Sequence, residues 1–198
     1  MDYSRRTVLA GLPVWFSTPL IEPLAPKGLL PEVQLVRAAR SQIGVTTSYD
    51  GAYQSISYPG GDVPIETGVC IDVVIRAYRA AFGVDFQKLI HEDMRANFSA
   101  YPRIWGLTRT DRNIDHRRVP NVETYLKRRG FELPANDWKP GDIISMRLGN
   151  RLPHIAILSS KRDRQGRPLG VHNIGAGTRE EPVLGRFDDE RRFRFLKF

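Results

Sequence analysis

Apolar and polar positions alternate along this chain with two different periods, and the change falls near residue 130. In PEVQLVRAARSQIG (31–44) Val33, Val36, Ala39 and Ile43, with Arg40 beside them, recur at helical spacing. Pro31 suits a first helical turn and Gly44 a stop. A polar loop rich in Tyr and Gly follows over 45–68. From Cys70 the apolar residues Ile71, Val74, Ile75, Tyr78 and Phe82 form a second helical stripe that Gly83 closes. The β-branched run IDVVI would also suit a strand, but the length of the segment and its RAYRAAFG ending predict a helix. Two more helices are predicted, one within 85–102 and one over 119–130.

Beyond Gly130 the period falls toward two. The segments 141–148, 153–160 and 168–175 read as short strands joined by the turn signals GNRLP and RDRQGRP, and RRFRFLKF (191–198) reads as a closing strand. Helices first and an antiparallel sheet afterwards predict an α+β domain over residues 31–198.

Composition narrows the chemistry. At 198 residues the chain is long enough for one domain with a full core. Its single cysteine excludes an internal disulfide and any thiolate-cluster zinc site, and its 4 histidines lack metalloprotease spacing, so neither metal nor cofactor is expected. His91, beside Glu92 and Asp93, reads as structural, because adjacent helix positions point in different directions. The net charge of +8 suits an anionic partner. The basic residues are scattered, without interleaved aromatics, so no nucleic-acid partner is expected.

Residues 1–26 open on SRRTVLA, which resembles a twin-arginine export signal; the other reading is an N-terminal arm. Pro13, Pro19 and Glu22 interrupt its apolar stretch, so no transmembrane helix is expected there. Export would place the protein in the periplasm or cell envelope.

Cys70 falls at a helix start, where unpaired N–H groups favour a thiolate, and a nucleophilic thiol there is expected to be ionised at working pH. Taken alone it also reads as a packing residue. His154 heads an apolar strand on the face of Ala156 and Leu158, and His172 lies on the next strand. Neighbouring strands run about 5 Å apart, so the two rings can meet. Thiol on a helix, histidine on a strand and an orienting group on the adjacent strand is the order of a Cys–His–orienter triad. Successive strand residues face opposite sides, so His172 and Asn173 are alternatives for the third place.

GVCIDVVIRAY, WKPGDIISMRL, PHIAIL and VHNIGAGTRE resemble the NlpC/P60 superfamily of cysteine peptidases, and more closely its DUF1287 branch, over about residues 32–187. The resemblance implies a papain-like fold, a Cys70–His154–His172 triad and hydrolysis of amide bonds, chiefly in the peptide stems of peptidoglycan. Typical members carry DCS at the nucleophile; here the text is VCI, and Asp72 follows the cysteine. Tyr49 and Tyr53 are candidate hydroxyl donors to substrate, Asp72 a substrate contact, and Arg117 with Arg118 a carboxylate clamp. Two further readings stand beside hydrolysis. One is an NlpC/P60-like module that binds wall peptides or a partner protein without turnover; the other is thiol acyl transfer.

Overall fold

A computed structural model describes residues 28–149 and 151–196. The segment read as an export signal lies outside them. Four helices precede the sheet: α1 (Pro31–Arg40), α2 (Cys70–Phe82), α3 (Phe86–Ala96) and α4 (Val119–Arg128). Short 3₁₀ turns cover Phe98–Ala100 and Asp115–Arg117. The strands are β1 (Glu132–Leu133), β2 (Ile143–Leu148), β3 (Leu152–Arg162), β4 (Pro168–Asn173), β5 (Thr178–Pro182) and β6 (Asp188–Phe193). They form one antiparallel sheet in the order β1-β6-β2-β3-β4-β5. The α+β arrangement is therefore the one the change of period predicts.

Strand alternation divides the core in two. Ile143, Ile155, Ile157, Val171 and Phe193 face the helices and pack with α1, α2, α3 and α4. Ile144, Met146, Ala156 and Leu158 leave by the opposite face and pack against Val183, Leu184 and Phe187. Helix α2 is buried along most of its length, so apolar residues surround it on nearly every side. That is why its β-branched run does not become a strand: a central helix covered by sheet and helices accepts Val and Ile all round.

Several elements differ from expectation: α1 ends at Arg40 rather than at Gly44, and the short β1 is an addition. Helix α3 ends at Ala96, where Asn97 leaves helical geometry and turns its side-chain amide back to the Asp93 carbonyl. The last strand is Asp188–Phe193 rather than 191–198, and it inserts between β1 and β2 instead of closing an edge. Strand β5, Thr178–Pro182, is an edge strand whose TREEP sequence lacks apolar alternation, so no periodicity marks it.

The insertion of β6 is locked by Asp142, whose side chain is wholly buried. It accepts from the Lys139 N–H at 2.9 Å, from Arg192 Nε at 2.7 Å and from Arg194 Nη1 at 2.6 Å. The Gly141 before it has a φ of +82°, and a Cβ there would stand 2.8 Å from the Glu32 Cβ, so only glycine lets α1 approach this turn. Asp142→Asn leaves two buried or half-buried guanidinium groups without their counter-charge. It is expected to cost about 3–5 kcal/mol in denaturant unfolding, and a loss under about 1 kcal/mol would show that the cluster does not hold the strand.

Candidate active site

The site begins at the first turn of α2. Val69, the residue before it, has no side chain able to cap, so Asp72 takes the role: its Oδ2 accepts the Val69 N–H at 2.7 Å. Gly68 lies directly above that carboxylate. A Cβ at Gly68 would stand 3.2 Å from Asp72 Oδ2 and from Arg76 Nη1. The same carboxylate receives the guanidinium fork of Arg117, with Nε to Oδ1 at 2.9 Å and Nη2 to Oδ2 at 2.8 Å. Both side chains are 3 % exposed. Asp72 and Arg117 are therefore removed from the list of substrate contacts: they saturate each other inside the protein, and Arg117 is no free clamp.

Cys70 is buried at 4 % exposure. Burial pushes its thiol up to about 12; the Ile155 N–H opposes this, the Asp72 charge adds to it, and the N–H groups of Ile71 and Cys70 oppose it again. The helix N-terminus thus pulls in the expected direction, but desolvation wins, and the expectation of a resting thiolate is corrected: the thiol is protonated at neutral pH. Burial first, and then the neighbouring Cys70, push the Tyr49 phenol up to about 12.

The Ile155 N–H that points at the sulfur fixes where the thiol sits. A strand N–H lies in the plane of its sheet. The β3–β4 ladder includes Leu158↔Gly170 and Ile157↔Val171, and no pairing continues it to Ile155 among the described residues. The thiol therefore occupies the opened seam between the two strands. Asn173, at the far lip of the seam, donates through Nδ2 to the carbonyls of Gly68 at 2.9 Å and Ser48 at 3.0 Å. It holds the loop that carries Tyr49 and does not touch His154.

His154 pairs with Met146 and leaves the sheet on the face of Ala156 and Leu158, where its ring meets Phe187. Its Nε2 stands 2.7 Å from Nδ1 of His172, with the rings edge-to-face at 4.9 Å between centroids. Among the described residues no hydrogen bond links His154 to Cys70. Burial first, and the His172 charge second, lower His154 to about 3. His172 is also lowered by burial, against the opposing pull of Glu181. Both rings are neutral at neutral pH. His172 Nε2 is 3.2 Å from Glu181 Oε1. Glu181 has no precedent in the sequence reading, because the strand that carries it went unrecognised.

The remaining candidates have partners other than the thiol. The Tyr53 hydroxyl accepts from Asn113 Nδ2 at 2.8 Å and donates to Asp111 Oδ2 at 3.1 Å, which assigns it to a separate polar surface. Arg118 stacks over Trp105 at 4.2 Å and lies 3.6 Å from Asp115. His91 packs edge-on to Tyr58. No group of three metal-ligating side chains occurs among the described residues.

Comparison with known proteins adds two findings. A family model described as a domain of unknown function, DUF1287, matches residues 36–195. The Escherichia coli K12 protein named uncharacterized protein YijF is 56 % identical over 150 residues, which cover 74 % of this chain and 73 % of that one.

A thiol near 12 makes alkylation by iodoacetamide slow at neutral pH, and its rate is expected to rise about tenfold per pH unit between about pH 7 and pH 9. Peptide mapping of the Cys70 adduct measures this. A rate already level across that range would reveal a resting thiolate–imidazolium pair instead.

Proposed function

Since the chain belongs to the DUF1287 family, whose description assigns no activity, we propose from the site that it is a cysteine amidase of NlpC/P60 type. The proposed substrate is the peptide stem of peptidoglycan. The observation that carries this reading is the 2.7 Å contact between the buried rings of His154 and His172. Two buried polar rings are costly to keep in a core unless their contact serves something.

In this mechanism the neutral thiol adds to the amide carbonyl while Nδ1 of His154 takes the Sγ proton. The sulfur–carbon bond forms and the carbonyl oxygen becomes an oxyanion. His154 then gives the proton to the departing nitrogen as the carbon–nitrogen bond breaks. Water hydrolyses the thioester by the same route, its proton passing to Nδ1 and then back to sulfur. His172 holds the ring of His154 through Nε2 and spreads its charge while it is protonated. The Cys70 N–H and the Tyr49 hydroxyl donate to the oxyanion in this mechanism. Since both partners start neutral, the rate is expected to vary little between about pH 5 and pH 9, outside the ranges in which His154 or Cys70 titrates.

Carboxylate-bearing stems suit a chain of net charge +8. Of the two arginines read as a clamp, Arg118 alone keeps this role in the proposal. Export to the periplasm or cell envelope belongs to the same proposal. No helix among the described residues is long and apolar enough to cross a membrane.

The deep burial of the thiol favours one alternative, a module of the same fold that binds wall peptides without turnover. Digestion of purified peptidoglycan followed by mass spectrometry separates the two. Wild type is expected to release stem fragments cut at one amide, Cys70→Ala none, and His154→Ala about 10²–10⁴-fold less. Intact wall in all three reactions, with equal sedimentation of wild type and Cys70→Ala on insoluble wall, would replace the amidase with the binding module.

A further inference from the structure

We propose that Glu181 is a positioning residue: it sets the tautomer of the His172–His154 pair so that the free electron pair of His154 lies on Nδ1. This rests on the amidase reading, but concerns an equilibrium that exists without substrate.

Two neutral imidazoles whose Nε2 and Nδ1 atoms stand 2.7 Å apart share a single hydrogen between those atoms. Two arrangements satisfy the contact. In the first, His154 carries its hydrogen on Nε2 and donates to His172 Nδ1, and His172 carries its own on Nε2. In the second, His172 Nδ1–H donates to His154 Nε2, which forces the other hydrogen of His154 onto Nδ1 and leaves His172 Nε2 bare. Only the first gives His154 a base on Nδ1. In the second, the atom that must take the thiol proton already holds one.

The hydrogen-bond geometry of the pair alone does not choose between them; its surroundings do. His172 Nε2 is buried and makes no hydrogen bond of regular geometry among the described residues, and Glu181 Oε1 stands 3.2 Å from it. An ionised carboxylate accepts hydrogen bonds and cannot donate one. Facing it, an Nε2–H is attracted and a bare nitrogen lone pair is repelled. The first arrangement therefore gains and the second loses.

The sheet register explains the contact. Gly170 pairs with Glu181 and His172 with Arg179, so Glu181 and His172 are diagonal neighbours on one face of β4–β5. Gly170 has no side chain to stand between them. A Cβ there would meet the Val183 methyls at 2.7 Å and 2.8 Å, so the gap stays open for packing reasons of its own. The charged groups that act on His172 are Glu181, from β5, and Arg186, from the turn after it, which opposes a proton on the ring. Glu181 is 35 % exposed at an edge strand, so its replacement leaves the core intact.

Long-range ¹⁵N-edited NMR of the histidine rings at neutral pH, on full-length protein without substrate, tests this directly. Wild type is expected to show His154 as the Nε2–H tautomer. Glu181→Leu removes the acceptor and is expected to populate the Nδ1–H tautomer of His154. Glu181→Gln keeps an acceptor oxygen and is expected to restore the wild-type pattern. In turnover of wall stems, kcat for Glu181→Leu is expected to fall about 10²-fold with KM within about twofold, and Glu181→Gln to recover most of it. An Nδ1–H tautomer of His154 in wild type, or a wild-type pattern in Glu181→Leu, overturns the proposal. Absence of turnover in every variant would count against the amidase reading, while the NMR result still decides the role of Glu181.

Discussion

The buried pair between Asp72 and Arg117 is the constraint on which the site depends. Its two hydrogen bonds, at 2.8 Å and 2.9 Å, join α2 to the 3₁₀ turn that leads into α4. The same carboxylate caps Val69, and Arg117 Nη2 reaches the Asp50 carbonyl in the loop below Tyr49. One ion pair therefore sets the start of the helix, the height of the loop and the position of the residue between them. Burying a charge pair costs desolvation, and the cost is tolerable here because both oxygens of the carboxylate find donors. Removing either partner would leave a charge unpaired next to Cys70.

Around that anchor, the site is built from neutral groups. A helix N-terminus stabilises a thiolate, and Ile155, Ile71 and Cys70 itself direct N–H groups at the sulfur. These donors lose to desolvation, which also keeps His154 and His172 uncharged. Such a site does not hold a reactive ion pair at rest. Among the neutral rings of His154 and His172 and the Glu181 carboxylate beside them, what the surroundings decide is where the hydrogens sit.

Much of this was legible in the order of residues. Helical spacing marked α1, α2 and α4, and alternation marked β2, β3 and β4. Of the three groups read as a triad, His154 and His172 meet as buried rings, and Cys70 makes no hydrogen bond to either among the described residues. Other features left no local trace. Arg117 and Arg118 are adjacent and chemically identical, yet one is buried against Asp72 and the other stacks on Trp105. Tyr49 and Tyr53 lie in one loop, and the path of that loop places the first at the thiol and the second at Asp111. Strand β5 is too polar to announce itself, and Glu181 was hidden with it.

The sequence by itself determined the class of fold and singled out the candidate groups, because periodicity of burial and the scarcity of cysteine and histidine are properties of the chain. The tertiary structure alone decided their states. Whether Cys70 is a thiol or a thiolate depends on how much water its surroundings exclude. Whether His172 or Asn173 meets His154 depends on which side of one strand faces the seam. A register shift of one residue would exchange them, and register is set by the packing of the whole sheet rather than by any segment within it.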